Sequence, residues 1–327
     1  MSGNGLGGIA EADMAKAVTA IGDAGQVALA CHVTPDGDAL GSMLALHHVL
    51  RAAGHDSIAA FAGPQVIGPH YRELPGLDTL SDPAAFPPEP EVMVTLDCGS
   101  AERLGDLARP ARAAGELVVI DHHVSNTRFG SIHLVDATAA ATAVVVARLI
   151  DALGLALTRD AAVCLYAGLV CDTGRFQYES TTTEAFDLAR RLIDFEVPIA
   201  RLNRTLFEEH RLAYLRLVGE VLSRAHLVPE KHFIWAAVTQ DDLARHGVSL
   251  EETEGLIDFL RQAREAEVSC VLKEVPDGSV RVSLRSLGAT DVSAVAARHG
   301  GGGHRFAAGF ISPGPIPAVV ERILADL

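Results

Sequence analysis

Aromatic side chains are scarce, at 5% of residues with a single tryptophan. That disfavours an all-β reader of long single strands, which needs aromatic stacking platforms. Cysteine is also sparse. Cys31, Cys98, Cys164, Cys171 and Cys270 are odd in number, lack C-x-x-C spacing and fall mostly in apolar strand or helix patterns. A disulfide framework is excluded, and a reducing, cytoplasmic setting is expected. No apolar run reaches the ~20 residues of a membrane span, and Met1 to Gly8 lacks the basic and apolar regions of a secretory signal. Neither membrane insertion nor secretion is expected. Basic residues are outnumbered 27 to 42 by acidic ones, a formal net charge of −15 that repels polyanions unless something local offsets it. Long nucleic acid is therefore not an expected partner, whereas short anionic substrates are compatible if metal ions supply positive charge.

What is present reads as α/β. A chain of 327 residues is long enough for about two domains of ~150 residues. In the first half, short β-branched runs alternate with longer helical patterns: strands at Gln26–Cys31, Ser57–Ala62, Val92–Leu96 and Leu117–Ile120, and helices over Leu40–Ala53, from Ser100, over Thr138–Leu153, over Arg159–Cys171 and from Thr182. This rhythm predicts a parallel sheet covered by helices. A longer helix is expected around Phe207–Ala225. Beyond Val228-Pro229 the texture becomes α+β, with strands at Phe233–Thr239, Val268–Glu274 and Val280–Arg285, a helix over Leu250–Arg264, and an Asp277-Gly278 hairpin turn. The expected division is a first domain over 1–192, a helical connector over 193–229 and a smaller α+β domain over 230–327.

Nearly every strand of the first half runs into a metal-binding residue type. The first leads into His32, with Asp36 and Asp38 in H-V-T-P-D-G-D; the third into Asp97; the fourth into Asp121-His122-His123; and the apolar segment Cys164–Cys171 ends at Asp172. In an open parallel sheet the carboxyl ends of the strands share one rim, where ligands bind. Carboxylate and imidazole without thiolate suit Mn²⁺, Mg²⁺, Fe²⁺ or Zn²⁺, with donors enough for two ions sharing a carboxylate. Gly37 is read as permitting a tight turn that points both carboxylates inward, and Gly41-Ser42 as opening the next helix towards an anion.

Each piece has an ordinary alternative. D-G-D is a common surface turn, and a calcium-loop reading fails because His47, not Glu, stands twelfth from Asp36. Paired histidines are usually plain loop residues, and Asp97 alone would be a turn or cap. Their joint placement at successive strand ends is what favours a metal centre. His47, His48, His55 and His70 lack such placement. In the last third, Gly300–Gly303 and His304 offer amides that can approach a phosphate. Arg281 and Arg285 share a strand face, and Arg285 with Ser286 is a candidate phosphate clamp; for Arg281 a solvated strand face is an equal alternative.

H-V-T-P-D-G-D-A-L-G-S, V-T-L-D-C-G-S, V-V-I-D-H-H-V-S-N and C-D-T-G, with S-L-R-S and G-G-G-H-R-F-A-A-G near the end, resemble the DHH phosphoesterase superfamily with its DHH-associated carboxyl-terminal domain. Within it, the length and ending look like the NrnA-type bifunctional oligoribonucleases and 3′-phosphoadenosine-5′-phosphate (pAp) phosphatases. The resemblance implies a cytoplasmic two-metal enzyme, with Mn²⁺ the expected ion, that removes mononucleotides from short RNA, dephosphorylates pAp and in some relatives degrades pApA or cyclic di-AMP. It implies that His32 and Asp36 bind one ion, Asp38 and His122 the other, with Asp97 and Asp172 shared. Asp121 would orient His122, and His123 would contact the scissile phosphate or leaving group. Arg285, Ser286, Gly302, Gly303 and His304 would hold substrate, and a homodimer through helices between Thr138 and Arg191 is expected. The competing readings are a manganese pyrophosphatase or exopolyphosphatase, a longer single-strand DNA exonuclease, and a non-catalytic nucleotide sensor.

Overall fold

The alternation of β-branched runs and helical stretches forms the expected α/β architecture, and the computed structural model describes residues 8–327. The described residues divide into two units, one up to Leu206 and one from Phe207. In chain order the first contains α1 (Glu11–Asp23), β1 (Gln26–Cys31), α2 (Gly37–Ala52), β2 (Asp56–Ala60), β3 (Val92–Leu96), α3 (Ala108–Ala113), β4 (Glu116–Asp121), β5 (Ile132–Val135), α4 (Thr142–Ala152), α5 (Arg159–Asp172), α6 (Thr183–Ile193) and α7 (Ile199–Phe207), the last ending at the boundary. The strands make a five-stranded sheet in the order β2-β1-β3-β4-β5, every pair parallel. This is a doubly wound order, and its direction reverses between β1 and β3.

Ala28, Ala30, Met93, Leu117 and Val119 on one sheet face pack with Leu104, Leu107, Ala108 and Ala111 from the segment around α3. Helices α2 and α4 lie against the strands, and α5 packs on both helices. Helix α2 is buried along almost its whole length, which accounts for its weak amphipathic pattern: a helix with helices and a sheet around it needs apolar residues on all sides.

The second unit contains α8 (Leu212–Ser223), β6 (His226–Val228), β7 (Phe233–Val238), α9 (Gln240–His246), α10 (Leu256–Leu260), β8 (Val268–Glu274), β9 (Ser279–Ser286), α11 (Val292–Arg298), β10 (Gly302–His304), β11 (Ala307–Pro313) and α12 (Ile316–Asp326). Its sheet runs β10-β11-β9-β8-β7-β6, antiparallel except for β7 with β8. One face packs on α11 and α12 through Val282, Leu284, Val295 and Ile323; the other packs on α8, α9 and α10 through Val271, Leu217, Leu243 and Ile257. Asp277-Gly278 forms the turn before β9, with Gly278 at φ +84° and the Asp277 carboxylate accepting the Ser279 N–H at 2.9 Å.

Several boundaries differ from the sequence reading for identifiable reasons. Helix α2 starts at Gly37, not Leu40, because the Asp36 side chain caps it by accepting the Asp38 and Ala39 N–H groups at 3.1 and 3.0 Å. Gly41 and Ser42 therefore lie inside the helix and do not open it. The long helix expected over Phe207–Ala225 begins only at Leu212, as α8, because Phe207 is the last residue of the separate helix α7. The buried residues of α7 include Leu202 and Leu206, whereas Tyr214, Leu217, Val218 and Val221 of α8 join the second unit's core. The helix expected over Leu250–Arg264 reduces to a 3₁₀ turn and the short α10, with Gly255, a poor helix former, between them. Strand β5 was not anticipated: it is four residues long at a sheet edge, and His133 interrupts its apolar run.

Asp136, just after β5, ties the sheet to α4. Its buried carboxylate accepts from Thr138 N at 3.0 Å, Thr138 Oγ1 at 2.6 Å and Arg148 Nη1 at 2.6 Å. Burial opposes ionisation, but Thr138 and Arg148 outweigh it and hold the carboxyl below its ordinary value. Its contribution is thus complete above the ordinary carboxylate range and is lost as pH falls through the depressed native value. Asp136→Ala is expected to cost the first unit about 3 kcal/mol near neutral pH, as for a broken buried ion pair. Urea denaturation as a function of pH checks this: the deficit should shrink below about pH 4, and a pH-independent deficit would remove the ion-pair explanation.

Candidate metal centre

Three parallel strands deliver donors to one rim at the reversal point. His32 follows β1 directly, Asp97 follows β3, and Asp121 ends β4 with His122 and His123 next in the chain. Helix α2 adds Asp36 at its cap and Asp38 in its first turn, and α5 ends on Asp172. Asp97 adopts φ +56°, a left-handed conformation that aspartate tolerates better than most residues. Its N–H is held by the Ile120 carbonyl at 2.9 Å.

Asp97 is the common member of three donor sets, each with ligand atoms within 4.8 Å of one another: His32–Asp36–Asp97, Asp38–Asp97–His122 and Asp97–Asp121–His123. Its Oδ2 lies 3.6 Å from His32 Nε2, and its Oδ1 lies 3.7 Å from His122 Nε2 and 3.6 Å from His123 Nδ1. Asp36 Oδ2 is 3.8 Å from His32 Nε2. His122 Nε2 is 3.8 Å from Asp38 Oδ2 and 2.9 Å from Asp172 Oδ2.

Surrounding contacts fix these orientations. His32 Nδ1 is 2.8 Å from the Val33 carbonyl and His122 Nδ1 3.1 Å from the Ala139 carbonyl. Each ring therefore has a main-chain acceptor for an Nδ1 proton, which leaves Nε2 for a metal ion. Asp38 accepts the Thr142 and Ala143 N–H groups at 2.5 and 3.0 Å and the Ser42 hydroxyl at 3.1 Å. The carboxylate of one helix thus satisfies the amino end of another, α4. Thr142 Oγ1 also donates to Asp97 at 2.8 Å. Asp121 accepts from His122 N at 2.9 Å, His123 Nδ1 at 2.7 Å and Asn126 Nδ2 at 2.6 Å.

The electrostatics are those of a cluster built around cations. Burial, together with Asp97 and Asp172, holds the Asp38 carboxyl well above its usual range. Burial alone would lower the His32 pKa, but Asp36 and Asp97 push it up to about 10. His122 is likewise raised by Asp172, Asp38 and Asp97 against the effect of burial. Asp97 is driven the other way, its burial outweighed by His32, His123 and His122. Oxygen and imidazole donors concentrated in a buried pocket match divalent transition metals, so the residues present fit such ions.

The structure brings His32, Asp36, Asp38, Asp97, Asp121, His122, His123 and Asp172 together. It differs from the sequence reading on Asp121, whose side chain holds the His123 ring while the Ala139 carbonyl takes the His122 ring. Gly37 and Gly41 serve close packing, not the tight turn read for Gly37 or the helix opening read for Gly41: added Cβ atoms would lie 2.3 Å from Cys171 Sγ and 2.4 Å from the Cys164 carbonyl oxygen on α5. Thr142 and Arg103, whose Nη2 is 3.1 Å from His32 Nδ1, went unnoticed, because a lone threonine or arginine carries no spacing signal, and Asn126, although within the quoted V-V-I-D-H-H-V-S-N, was given no role.

In the second unit, Arg285 pairs with Ala307 and His304 with the same Ala307, so β9, β11 and β10 place Arg285 near Gly302, Gly303 and His304. Gly303 requires glycine twice over, with φ +141° and a would-be Cβ 2.4 Å from the Ala307 carbonyl oxygen. Ser286 departs from the expected clamp: next to Arg285 on a strand it faces the opposite way, is buried, and its Oγ accepts the Gly288 N–H at 3.3 Å.

Buried aspartates and histidines at the reversal point of a doubly wound sheet define the machinery of a metal-assisted hydrolase. The chain belongs to the DHH family of phosphoesterases: residues 26–169 match the DHH family, N-terminal domain, and residues 231–327 the DHHA1 domain. It is 34% identical over 301 residues to the bifunctional oligoribonuclease and PAP phosphatase NrnA of Thermus thermophilus, covering 92% of this chain and 88% of the relative. It is 29% identical over 300 residues to the protein of the same name from Bacillus subtilis, with 90% and 91% covered. A crystal structure of an exopolyphosphatase-related protein from Bacteroides fragilis superposes with a TM-score of 0.87 at 25% identity, covering 97% of this chain and 96% of the other.

Gly168 tests how the helices position the donors. A Cβ there would stand 2.6 Å from Asp38 Oδ1 and 3.1 Å from Ala143 Cβ. Gly168→Ala is expected to lower stability by about 1–3 kcal/mol through overpacking and to weaken divalent-metal binding by displacing Asp38. Calorimetric metal titration alongside thermal melting checks both; undiminished metal affinity would show that Asp38 tolerates the displacement.

Proposed function

We propose that the protein is a two-metal phosphoesterase, Mn²⁺ being the ion, that hydrolyses short oligoribonucleotides such as pApA to mononucleotides and removes the 3′-phosphate of pAp. The observation that carries this is the position of Asp97, whose carboxylate oxygens lie 3.6–3.7 Å from ring nitrogens of three imidazoles and which is shared by three donor sets. One carboxylate can then serve two ions. The names of the Thermus and Bacillus relatives supply the substrate classes.

In this reading His32 and Asp36 hold one ion, Asp38 and His122 the other, and Asp97 and Asp172 are shared. When bound, such a pair polarises the phosphoryl group and makes water a nucleophile at neutral pH. Asp121 fixes the His123 ring through Nδ1, which leaves Nε2 for the scissile phosphate or its leaving oxygen. Arg285 and the Gly302–His304 strand are the second unit's substrate-binding residues, where a guanidinium and glycine amides suit an anion. A formal charge of −15 supplies no basic track for a long polymer, so short substrates are favoured.

The test is a parallel assay of the Mn²⁺-loaded protein on pAp, pApA, cyclic di-AMP, a 5-mer and a 24-mer RNA, and pyrophosphate. Turnover of pAp and the short RNAs is expected, with the 24-mer a poor substrate. Chelation should abolish turnover, and Asp97→Ala should reduce it by at least ~100-fold, since a shared ligand organises both ions. Pyrophosphate as the preferred substrate would favour a polyphosphate reading, in keeping with the name of the exopolyphosphatase-related Bacteroides protein. Full activity after chelation would end the two-metal account.

A further inference from the structure

The two faces of the second unit's sheet are covered unequally. Val280, Val282 and Leu284 of β9 and Ala308 and Phe310 of β11 enter the core under α11 and α12. On the other side, α8, α9 and α10 take their sheet partners from β7 and β8. The alternate residues of β9 and β11 point to that second side and belong to neither core. Arg281, Ser283, Arg285, Ala307 and Gly309 are half-buried there, and Ile311 is 62% exposed.

Strand register arranges these residues in two rows. Arg281 stands opposite Ile311, Ser283 opposite Gly309 and Arg285 opposite Ala307. One row carries guanidinium and hydroxyl groups; the other is apolar side chain or bare backbone. Strand β9 ends at Ser286, so from Arg285 the charged row runs back towards Arg281, four residues or about 13 Å along the strand. A short oligoribonucleotide has the same two-sided character, with phosphates for the arginines and base faces for the apolar row.

Charge on this face is unbalanced. Glu254, just after the 3₁₀ turn Glu251–Thr253, places Oε1 3.3 Å from Arg281 Nη1. The same oxygen lies 3.2 Å from Nζ of Lys273, which pairs with Arg281 across β8 and β9 and is fully buried. One carboxylate offsets one of these two cations. A buried ammonium separated from its carboxylate would be the costlier to leave alone, so Glu254 belongs to Lys273 and the partly exposed Arg281 keeps a charge to offer. Arg285 adds another: among the described residues its guanidinium makes one hydrogen bond, from Nη1 to the Leu284 carbonyl at 3.0 Å. Three cations against one carboxylate form a local positive patch in a chain of formal charge −15.

We propose that Arg281, set beside the Lys273–Glu254 pair, binds a phosphate farther along the substrate than Arg285 does, and so adds affinity for oligoribonucleotides long enough to reach it. This rests on the phosphoesterase reading and gives it a determinant of substrate length. The row is two arginines long, so it serves a few nucleotides and not a polymer.

The experiment measures kcat/KM of the Mn²⁺-loaded wild-type, Arg281→Ala and Glu254→Gln proteins on pApA and on a 5-mer RNA. The ratio of the two constants reads contacts that the longer substrate alone makes, and a general loss of folded or metal-loaded protein cancels from it. Arg281→Ala is expected to lower the ratio of 5-mer to pApA by about tenfold, the scale of one charge-assisted contact. Glu254→Gln keeps an oxygen for Lys273 but removes the negative charge beside Arg281, and is expected to raise the ratio. An unchanged ratio in Arg281→Ala would overturn the proposal by making Arg281 a structural partner of Glu254. A ratio that Glu254→Gln leaves unchanged or lowers would overturn the charge argument behind it. Wild-type protein that hydrolyses neither substrate would instead overturn the reading on which the proposal rests.

Discussion

Gathering aspartates in a buried pocket raises their free energy unless positive charge is gathered with them, and the first unit is arranged around that constraint. Asp97 is the pivot. Its left-handed backbone, its position at the sheet's reversal point and the threonine donating to it all keep one carboxylate between His32, His122 and His123. The opposite shifts of Asp97 and His32 express the same fact: each stabilises the other's charged form. A site of this kind offers ready-made coordination to divalent ions, and in an acidic protein it offers a phosphate a local region of positive charge once those ions are bound.

Helix packing carries the precision of the site. Helix α2 comes close enough to α5 that Gly37, Gly41 and Gly168 have no room for a methyl group, and this approach sets Asp38 beside the first amides of α4. Those amides act as a fixed dipole on a carboxylate that would otherwise be costly to bury. The small residues A-T-A-A-A-T-A leading into α4 allow the same close approach. Stability and chemistry here share parts, so a change made for packing at Gly168 is also a change at the metal centre.

Much of this was legible in the sequence because period and position carry it. Strand ends marked by His32, Asp97 and Asp121 followed from β-branched runs that stop at polar residues, and the parallel rim then brought them together. What stayed hidden is whatever depends on contacts between elements. In the sequence Gly37 looks like a turn residue and Gly41 like the opening of a helix, because their real neighbours, Cys171 and Cys164, lie more than a hundred positions away. The resemblance pairs Asp121 with the His122 ring, whereas the carboxylate meets the main-chain N–H of His122 and the ring of His123, a choice set by which ring turns towards it. Chain adjacency pairs Ser286 with Arg285, although neighbours on a strand face opposite sides. Strand β5 and the late start of α8, with α7 as a separate helix before it, depend on which core each segment joins, which local pattern does not encode.

The central claim is that one carboxylate holds two metal ions in a single centre. Electron paramagnetic resonance of the protein titrated with Mn²⁺ tests it most directly. The account predicts that two ions bind per chain and that their spectrum is that of an exchange-coupled pair. Saturation at one ion, or two ions each giving the six-line spectrum of an isolated Mn²⁺, would contradict it.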